Sequence, residues 1–326
     1  MLSVFVPRPQ GLVRIVQSGH EPFPPEAIWL DLLEPTPEEE NAVEQALHVN
    51  VPTREEMREI EASNRLYEEN GVLYMTATIV TKLDTDLPQS TQVTFMLAGS
   101  RLVTNRYTDP LPFRRFITYA ETHPAACGSS ALLLVGLVES IINRIADVIE
   151  RVAADLDQIS TEVFTPTRRG RRITPSRDFR AVLGRVGQSG ELVSKARESL
   201  VSLGRMLVFV QQAVNSQVST DARQRFRTLS RDVTAMSDHA SFLGDKVQFA
   251  LDATLGMVSI DQNNILKIFS VVTVFLLPPS VIAGFYGMNF EHIPWLHEPW
   301  GWYVALGLMV ASAVLPWLWF KRKGWL

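Results

Sequence analysis

The chain has 326 residues, of which 46% are hydrophobic and 20% charged, and its formal net charge is -4. This length suits one large domain or two ordinary ones, and the mildly acidic balance argues against general nucleic-acid binding, which needs excess basic charge. The single cysteine, Cys127, excludes an internal disulfide and a cysteine-based zinc site, and we expect it to be reduced and inert. The N-terminal segment lacks the basic start, apolar run and cleavage site of a signal peptide, so none is expected.

Residues 1–125 are predicted to form a compact α/β domain. Thr36 is the expected N-cap of a helix over TPEEENAVEQAL, whose first turn is acidic. The segment REEMREIEASNRLY predicts a second, broken helix. Mixed β-branched and aromatic residues over strand lengths predict five strands, namely LSVFV, AIWLDLL, VLYMTATIV, TQVTFML and RLVTN.

Residues 126–260 are predicted to be long helices. The first begins after Ser129 and has one apolar face, and the second runs from about Ser176 to Ala213. The basic segment between them is interpreted as a solvated turn, with a phosphate site as the alternative. The apolar face consists of Leu134, Leu137, Ile141, Ile145, Ile149 and Val152, and the basic residues are Arg168, Arg169, Arg171 and Arg172.

A third long helix carries a narrow apolar seam at alternating spacings of three and four residues. Such a seam is typical of helices that associate along a long axis. It predicts packing against copies of the same helix or against the other helices of its own chain, and the two interpretations are compatible if the helix contacts both. The seam consists of Phe226, Leu229, Val233, Met236, Ala240, Leu243 and Val247.

Residues 261–326 are predicted to form a transmembrane hairpin. The runs 268–285 and 300–320 hold 18 and 21 residues without a charge. Each is long enough to cross a hydrocarbon core of about 30 Å at about 1.5 Å per residue. Aromatic side chains cluster at the ends of both runs, where amphipathic rings prefer the membrane interface. These are Trp295, Trp300, Trp302, Tyr303, Trp317 and Trp319.

The distribution of charge around the two runs predicts their orientation. Basic residues flank the hairpin at Lys267 and in the tail Lys321, Arg322 and Lys323, whereas the connecting loop holds acidic and no basic side chains. The positive-inside tendency therefore places both termini, and with them the large N-terminal part, in the cytoplasm. The expected location is the inner (plasma) membrane, which the chain crosses twice.

A hairpin of two helices cannot enclose a water-filled path, so conduction would require several copies around an axis. The first helix is the better lining candidate because small and polar residues interrupt it, and Pro278 and Pro279 free backbone groups that need a partner or a wet cavity. The alternative is a small-residue face that packs against the second helix. The stripe at heptad-like intervals is Asn263, Leu266, Ser270, Thr273, Leu277, Ser280 and Gly284.

The sequence Gly287-Met288-Asn289, directly after the first run, resembles the GMN motif of the CorA family of magnesium transport proteins. The surrounding FYGMNFEHIP, the short acidic loop, the second span and the tail KRKGWL agree with that family. The stretch IDQNNILKIFSVVTVFLLPPSVIAG and the N-terminal part also resemble it, so the likeness covers nearly the full chain. A lone Gly-Met-Asn would be a weak signal, but this placement is specific.

The resemblance implies a funnel-shaped homopentamer with a selectivity ring at the outer mouth, built by Asn289 and shaped by Gly287 and Met288. Leu266 and Phe269 would form an apolar constriction, although Phe269 departs from the aliphatic residue expected there. No cofactor is implied, and Mg²⁺ is expected as substrate and as regulator. The implied lining residues are Asn263, Leu266, Phe269, Thr273, Leu277, Ser280 and Gly284.

The family is inhibited by cytoplasmic magnesium bound between subunits at acidic residues, and the resemblance carries part of that site to this chain. Asp252 matches one such position. A second acid is replaced here by Thr228, with Asp232 nearby, which leaves the site in doubt. Asp84 and Asp86 are further candidates, with an ordinary acidic turn as the alternative.

Magnesium prefers oxygen ligands in an octahedron and sheds water reluctantly. A ring of Asn289 amides could hold the hydrated ion without stripping or trapping it, whereas carboxylates would release it more slowly. Glu291 and Glu298 would raise the local cation concentration at the mouth, or would simply be solvated. His292 and His297 could invite zinc, but interfacial loop histidines are the preferred interpretation.

Three alternatives compete with magnesium transport. The same fold could carry Co²⁺, Ni²⁺ or Zn²⁺, although the intact Met288 favours magnesium. A membrane-anchored enzyme would need a catalytic constellation, and the sequence offers no nucleophile–base motif, metal-ligand cluster or nucleotide fingerprint. A membrane-anchored sensor or scaffold that oligomerises through the long helices is the third, and ion flux into liposomes would separate it from a pore.

Overall fold

The computed structural model describes residues 1–17, 21–82, 88–165, 178–213, 219–288, 293–295 and 298–323. They belong to two compact units, Met1–Asp252 and Ala253–Leu326. The first unit holds a seven-stranded sheet, short helices and three long helical segments. The second holds the end of the longest helix and the last helix.

The sheet has the strand order β2-β1-β3-β7-β6-β5-β4. All neighbouring strands are antiparallel except β3 and β7, which run parallel. The strands are β1 Leu2–Arg8, β2 Gly11–Gln17, β3 Trp29–Leu33, β4 Leu66–Glu69, β5 Val72–Thr81, β6 Gln89–Ala98 and β7 Arg101–Arg106. The helices are α1 Pro37–Leu47, α2 Ala62–Arg65, α3 Leu111–Ala120, α4 Ser130–Phe164, α5 Phe179–Ala213, α6 Thr220–Tyr286 and α7 Gly301–Arg322.

All five predicted strands are confirmed, but the second predicted helix is largely wrong. Only a short 3-10 turn, Glu56–Arg58, and the single turn of α2 form there, and the chain enters β4 at Leu66. The Tyr67 ring stacks on Tyr74 of β5 with centroids 4.6 Å apart, so cross-strand packing outweighs the local helical preference. Strand β2 and helix α3 were also not predicted from the sequence.

The predicted cap of α1 is confirmed. The Thr36 hydroxyl accepts the N–H of Glu39, and the Glu39 carboxylate accepts the N–H of Thr36, which is a complete capping box. A second oxygen of Glu39 accepts the N–H of Leu2 at 2.9 Å, so the cap also ties α1 to the first strand. Burial by itself would raise the pKa of Glu39, but the N-terminal ammonium and these backbone N–H groups lower it below its ordinary value.

A buried ion pair joins the parallel strands β3 and β7. The Arg106 guanidinium donates to both oxygens of Asp31, at 2.9 and 2.7 Å, and both side chains are almost completely buried. Thr104 donates to Asp31 at 2.6 Å and accepts the indole N–H of Trp29 at 2.9 Å. This network satisfies a charge pair inside the core, where an unpaired charge would be costly.

Helix α5 follows the edge of β5 where β4 has ended. The N–H of Thr78 donates to the Ser202 hydroxyl at 2.9 Å, and the Ser199 hydroxyl donates to the Thr78 carbonyl at 2.9 Å. These two serines therefore satisfy backbone groups that a neighbouring strand would otherwise pair. They anchor α5 beside the sheet.

The seam of α6 packs within its own chain. Phe226, Leu229, Val233, Ala240 and Leu243 are all buried in the single chain. Ion pairs add to this packing: Arg225 of α6 pairs with Glu139 of α4 at 2.5 Å, and Lys246 of α6 pairs with Asp157 at 2.6 Å. Of the two interpretations left open by the sequence, intrachain packing is therefore confirmed, and the exposed face of α6 lies opposite the seam.

Candidate functional site

The second unit presents two helical stretches long and apolar enough to cross a membrane, one at the end of α6 and one in α7. None of the residues in the apolar window of α6 is buried, and in α7 the buried share is 11%. A core helix of a soluble protein would bury such a window. An exposed apolar surface of this extent needs hydrocarbon or further protein around it.

All the proposed lining positions lie on α6 and are exposed in the single chain. Three hydroxyl groups on this segment donate back to the helix: Ser270 to the Leu266 carbonyl at 2.8 Å, Thr273 to that of Phe269 at 2.9 Å, and Ser280 to that of Leu276 at 2.7 Å. Their protons are thus used, and only oxygen lone pairs remain to face outward. The waters around a cation point their hydrogens outward, so a surface of acceptors matches a hydrated cation.

Pro278 and Pro279 lie inside α6, which continues through both. Proline has no N–H, so the carbonyls of Val274 and Phe275, four residues earlier, lose their helical donors. In hydrocarbon such groups would be costly. The pair therefore adds two backbone acceptors in the same part of the helix as the hydroxyl stripe.

The helix ends directly before the motif. The N–H of Gly287 donates to the Ala283 carbonyl at 3.0 Å, and that of Met288 to the Phe285 carbonyl at 3.3 Å. A Cβ at Gly287 would lie 3.2 Å from the Ala283 oxygen, so a side chain there would crowd this closing turn. Both Gly287 and Met288 are exposed.

Several positions at the expected outer mouth lie outside the described residues: Asn289, Glu291, His292 and His297. Glu298 is described and exposed, and its N–H donates to the Trp295 carbonyl at 3.3 Å. Trp295 and Trp300 lie with ring centroids 6.2 Å apart in this connection. The roles assigned to these residues stay predictions.

The candidate regulatory acids do not converge within one chain. Asp252 and Asp232 are both exposed on α6, and twenty residues of helix separate them by about 30 Å. Asp84 and Asp86 lie outside the described residues. Within the described part of the chain, no group of three or more His, Cys, Asp or Glu side chains could hold a metal ion. Within one chain, Asp232 and Asp252 are therefore too far apart to hold one ion together.

Two further acidic residues on α6 were not among the predicted candidates. Asp238 and Asp245 precede Asp252 at intervals of seven residues, so the three carboxylates share one exposed face of the helix. The regular spacing was a signal available in the sequence.

Cys127, the single cysteine, is buried, and burial raises the pKa of its thiol to about 11.

A large α/β domain, long helices and two exposed apolar helices define the class: a membrane protein with two candidate transmembrane helices. The chain belongs to the CorA-like Mg²⁺ transporter protein family, because the model of that family matches residues 25–322. The predicted fold class, an α/β domain followed by long helices and two apolar helices, is confirmed.

Relatives match over the whole length. The chain is 32% identical to the magnesium transport protein CorA of Haemophilus influenzae over 326 residues, which covers 100% of both chains. The same identity and coverage hold for the protein of that name from Escherichia coli K12. The complete structure of the CorA magnesium transporter from Methanocaldococcus jannaschii has the same fold, with a TM-score of 0.76 at 17% identity, over 100% of this chain and 99% of that one.

Proposed function

We propose that the chain forms a homopentameric channel that carries hydrated Mg²⁺ across the inner (plasma) membrane. The observation that carries the proposal is the exposed hydroxyl stripe of α6, whose protons are turned back to the helix and which ends at the Gly287-Met288 turn. Full-length identity to proteins named for magnesium transport supports the choice of ion. One chain supplies one lining helix, so several copies are needed to close a path.

The membrane potential supplies the driving force in this proposal. Moving a divalent cation inward through about 100 mV releases roughly 4–5 kcal/mol, twice the value for a single charge. The basic residues Lys321 and Arg322 at the end of α7 and Lys267 before the first apolar run support a cytoplasmic placement of both termini. Magnesium would then enter at the connecting loop and leave on the side of the α/β domain.

Cytoplasmic magnesium would close the channel by binding between chains. Asp252 is exposed and accepts a hydrogen bond from Gln248 of the same helix at 3.1 Å, which leaves its other oxygen available to a neighbouring subunit among the residues that the structure describes. Carboxylates brought together between subunits repel each other unless a cation bridges them. Asp232, Asp84 and Asp86 stay weaker candidates for the same task. Loss of the bridging ion would release the subunits and open the path.

A proteoliposome assay tests the transport itself. With an imposed inside-negative potential and low internal magnesium, the purified chain should carry Mg²⁺ inward, read by a trapped fluorescent indicator. Parallel runs with Co²⁺, Ni²⁺ and Zn²⁺ rank the competing ions. A well-folded protein that carries none of these ions would refute the channel and favour a membrane-anchored sensor or scaffold.

The proposed apolar constriction leads to a specific expectation for Leu266→Ser. Leu266 and Phe269 would close the path by excluding water, so a hydroxyl at position 266 should wet it and raise Mg²⁺ influx at high internal magnesium several-fold. The control is Ile268→Ser, which makes an equivalent change about 200° around the helix and is also exposed. Equal influx in the two variants would contradict the constriction.

A further inference from the structure

A cavity of about 500 Å³ opens in the first unit, beside the edge of β5 that α5 covers. Its wall carries three arginines, Arg65, Arg197 and Arg205, and a single acidic side chain, Glu198. Nothing in the proposed ion path uses this cavity.

The cavity has an excess of positive charge. Within the described part of the chain, none of the three arginines forms a direct ion pair with a carboxylate, although Glu198 acts on Arg65 electrostatically. Burial lowers the pKa of Arg65, Glu198 raises it, and the positive charge of Arg205 lowers it further. Arg197 and Arg205 are exposed, and an anion bound between the three guanidinium groups would reduce their mutual repulsion.

Two donors are held in place before any ligand arrives. Arg65 donates to the Thr78 hydroxyl at 3.1 Å and to the Glu59 carbonyl, which holds its guanidinium at the cavity wall. The Ser202 hydroxyl accepts the N–H of Thr78, so its own proton remains for a ligand. Such preorganised donors suit phosphate oxygens, which arginine binds with paired hydrogen bonds.

Ile60, Leu66 and Val201 form an apolar part of the wall beside Thr76 and Ser194, and the arginines on α5 are well spaced. Arg197, Val201 and Arg205 follow each other at intervals of four on one face, so the two arginines start about 12 Å apart. Val201 and Leu66 line the cavity between polar groups, and the Ile60 side chain at its rim is 88% exposed. A bare phosphate would fill neither the length nor the apolar wall.

We propose that this cavity binds a nucleoside polyphosphate. The phosphates lie on Arg197 and Arg205 with Arg65 behind them, and the base lies against Ile60, Val201 and Leu66. Glu198 accepts a hydrogen bond from a hydroxyl or amino group of the ligand. The volume is within the range of about 300–1,000 Å³ that small-molecule sites occupy. The inference does not depend on transport, since binding is measurable without it.

Equilibrium binding to the full-length protein in detergent tests the proposal, with ATP, ADP and tripolyphosphate as probes at constant ionic strength. ATP should bind more tightly than tripolyphosphate, because only ATP reaches the apolar wall. The double variant Arg197→Gln/Arg205→Gln should weaken ATP binding by at least about tenfold. Arg180→Gln is the matched control, since Arg180 is exposed on the same helix outside the cavity.

Three outcomes would overturn the assignment. Equal affinity for ATP and tripolyphosphate would show that the nucleoside part is not recognised. An equal loss of ATP affinity in the Arg180 variant would show that the protein attracts ATP only by nonspecific charge. Absence of ATP binding to the native protein, together with a change of oligomeric size in the double variant by light scattering, would make the cavity a contact between copies of the chain.

Discussion

Replacing Asn289 by alanine is expected to reduce potential-driven Mg²⁺ influx at least about tenfold and to weaken discrimination between Mg²⁺ and Co²⁺. The change removes one amide from every subunit at the proposed outer ring. Each amide offers hydrogen bonds to waters of the hydrated ion, and losing about 1.4 kcal/mol in total is already a tenfold effect. The measurement is initial influx into proteoliposomes at matched reconstitution and matched oligomeric size.

Asn264→Ala is the control for this experiment. Asn264 is an exposed amide at the other end of the same apolar segment and lies off the proposed lining stripe. Influx in this variant should equal that of the native protein. If the Asn289 variant also matches the native protein in influx and ion preference, the channel stands but its selectivity does not come from this ring.

Replacing Asp31 by alanine is expected to destabilise the α/β domain by about 3 kcal/mol, because it leaves Arg106 buried without its main partner. The effect lies at the lower end of the usual range since Arg106 keeps Asp109 at 2.7 Å and the Thr108 carbonyl at 3.0 Å. The apparent Tm of the purified full-length protein, at one scan rate, should fall by several degrees.

Asp147→Ala provides the matched comparison. Asp147 also faces two arginines, Arg115 at 3.7 Å and Arg144 at 3.8 Å, but about half of its side chain is exposed. Arg144 is itself buried, but both distances are long and water reaches the Asp147 carboxylate, so these pairs contribute roughly 0–1 kcal/mol and the Tm should hardly move. An equal decrease of the Tm in both variants would show that burial does not determine how much the Asp31–Arg106 pair contributes to stability.

Local chemistry explains which elements could be predicted. Thr36 and Glu39 form their capping box within four residues, so the start of α1 is readable from a short segment. The strands β1, β3, β5, β6 and β7 hold β-branched and aromatic residues over strand lengths, which few other structures accommodate. By contrast, Leu66 and Tyr67 lie in a strand only because β5 pairs with them, and no local pattern contains that partner.

Uncharged runs of 18 and 21 residues and the placement of Gly287-Met288-Asn289 need no distant contact to be recognised, so the two candidate membrane spans and the family were predictable from the sequence. The folded structure was needed to show that the α6 seam packs within its own chain and that Asp232 and Asp252 of one chain lie too far apart to share an ion. The folded structure also places Arg65 beside Arg197 and Arg205, although more than a hundred residues separate them along the chain. Hydropathy and motifs are local properties of a chain, whereas contacts between residues far apart in sequence depend on strand pairing and helix packing.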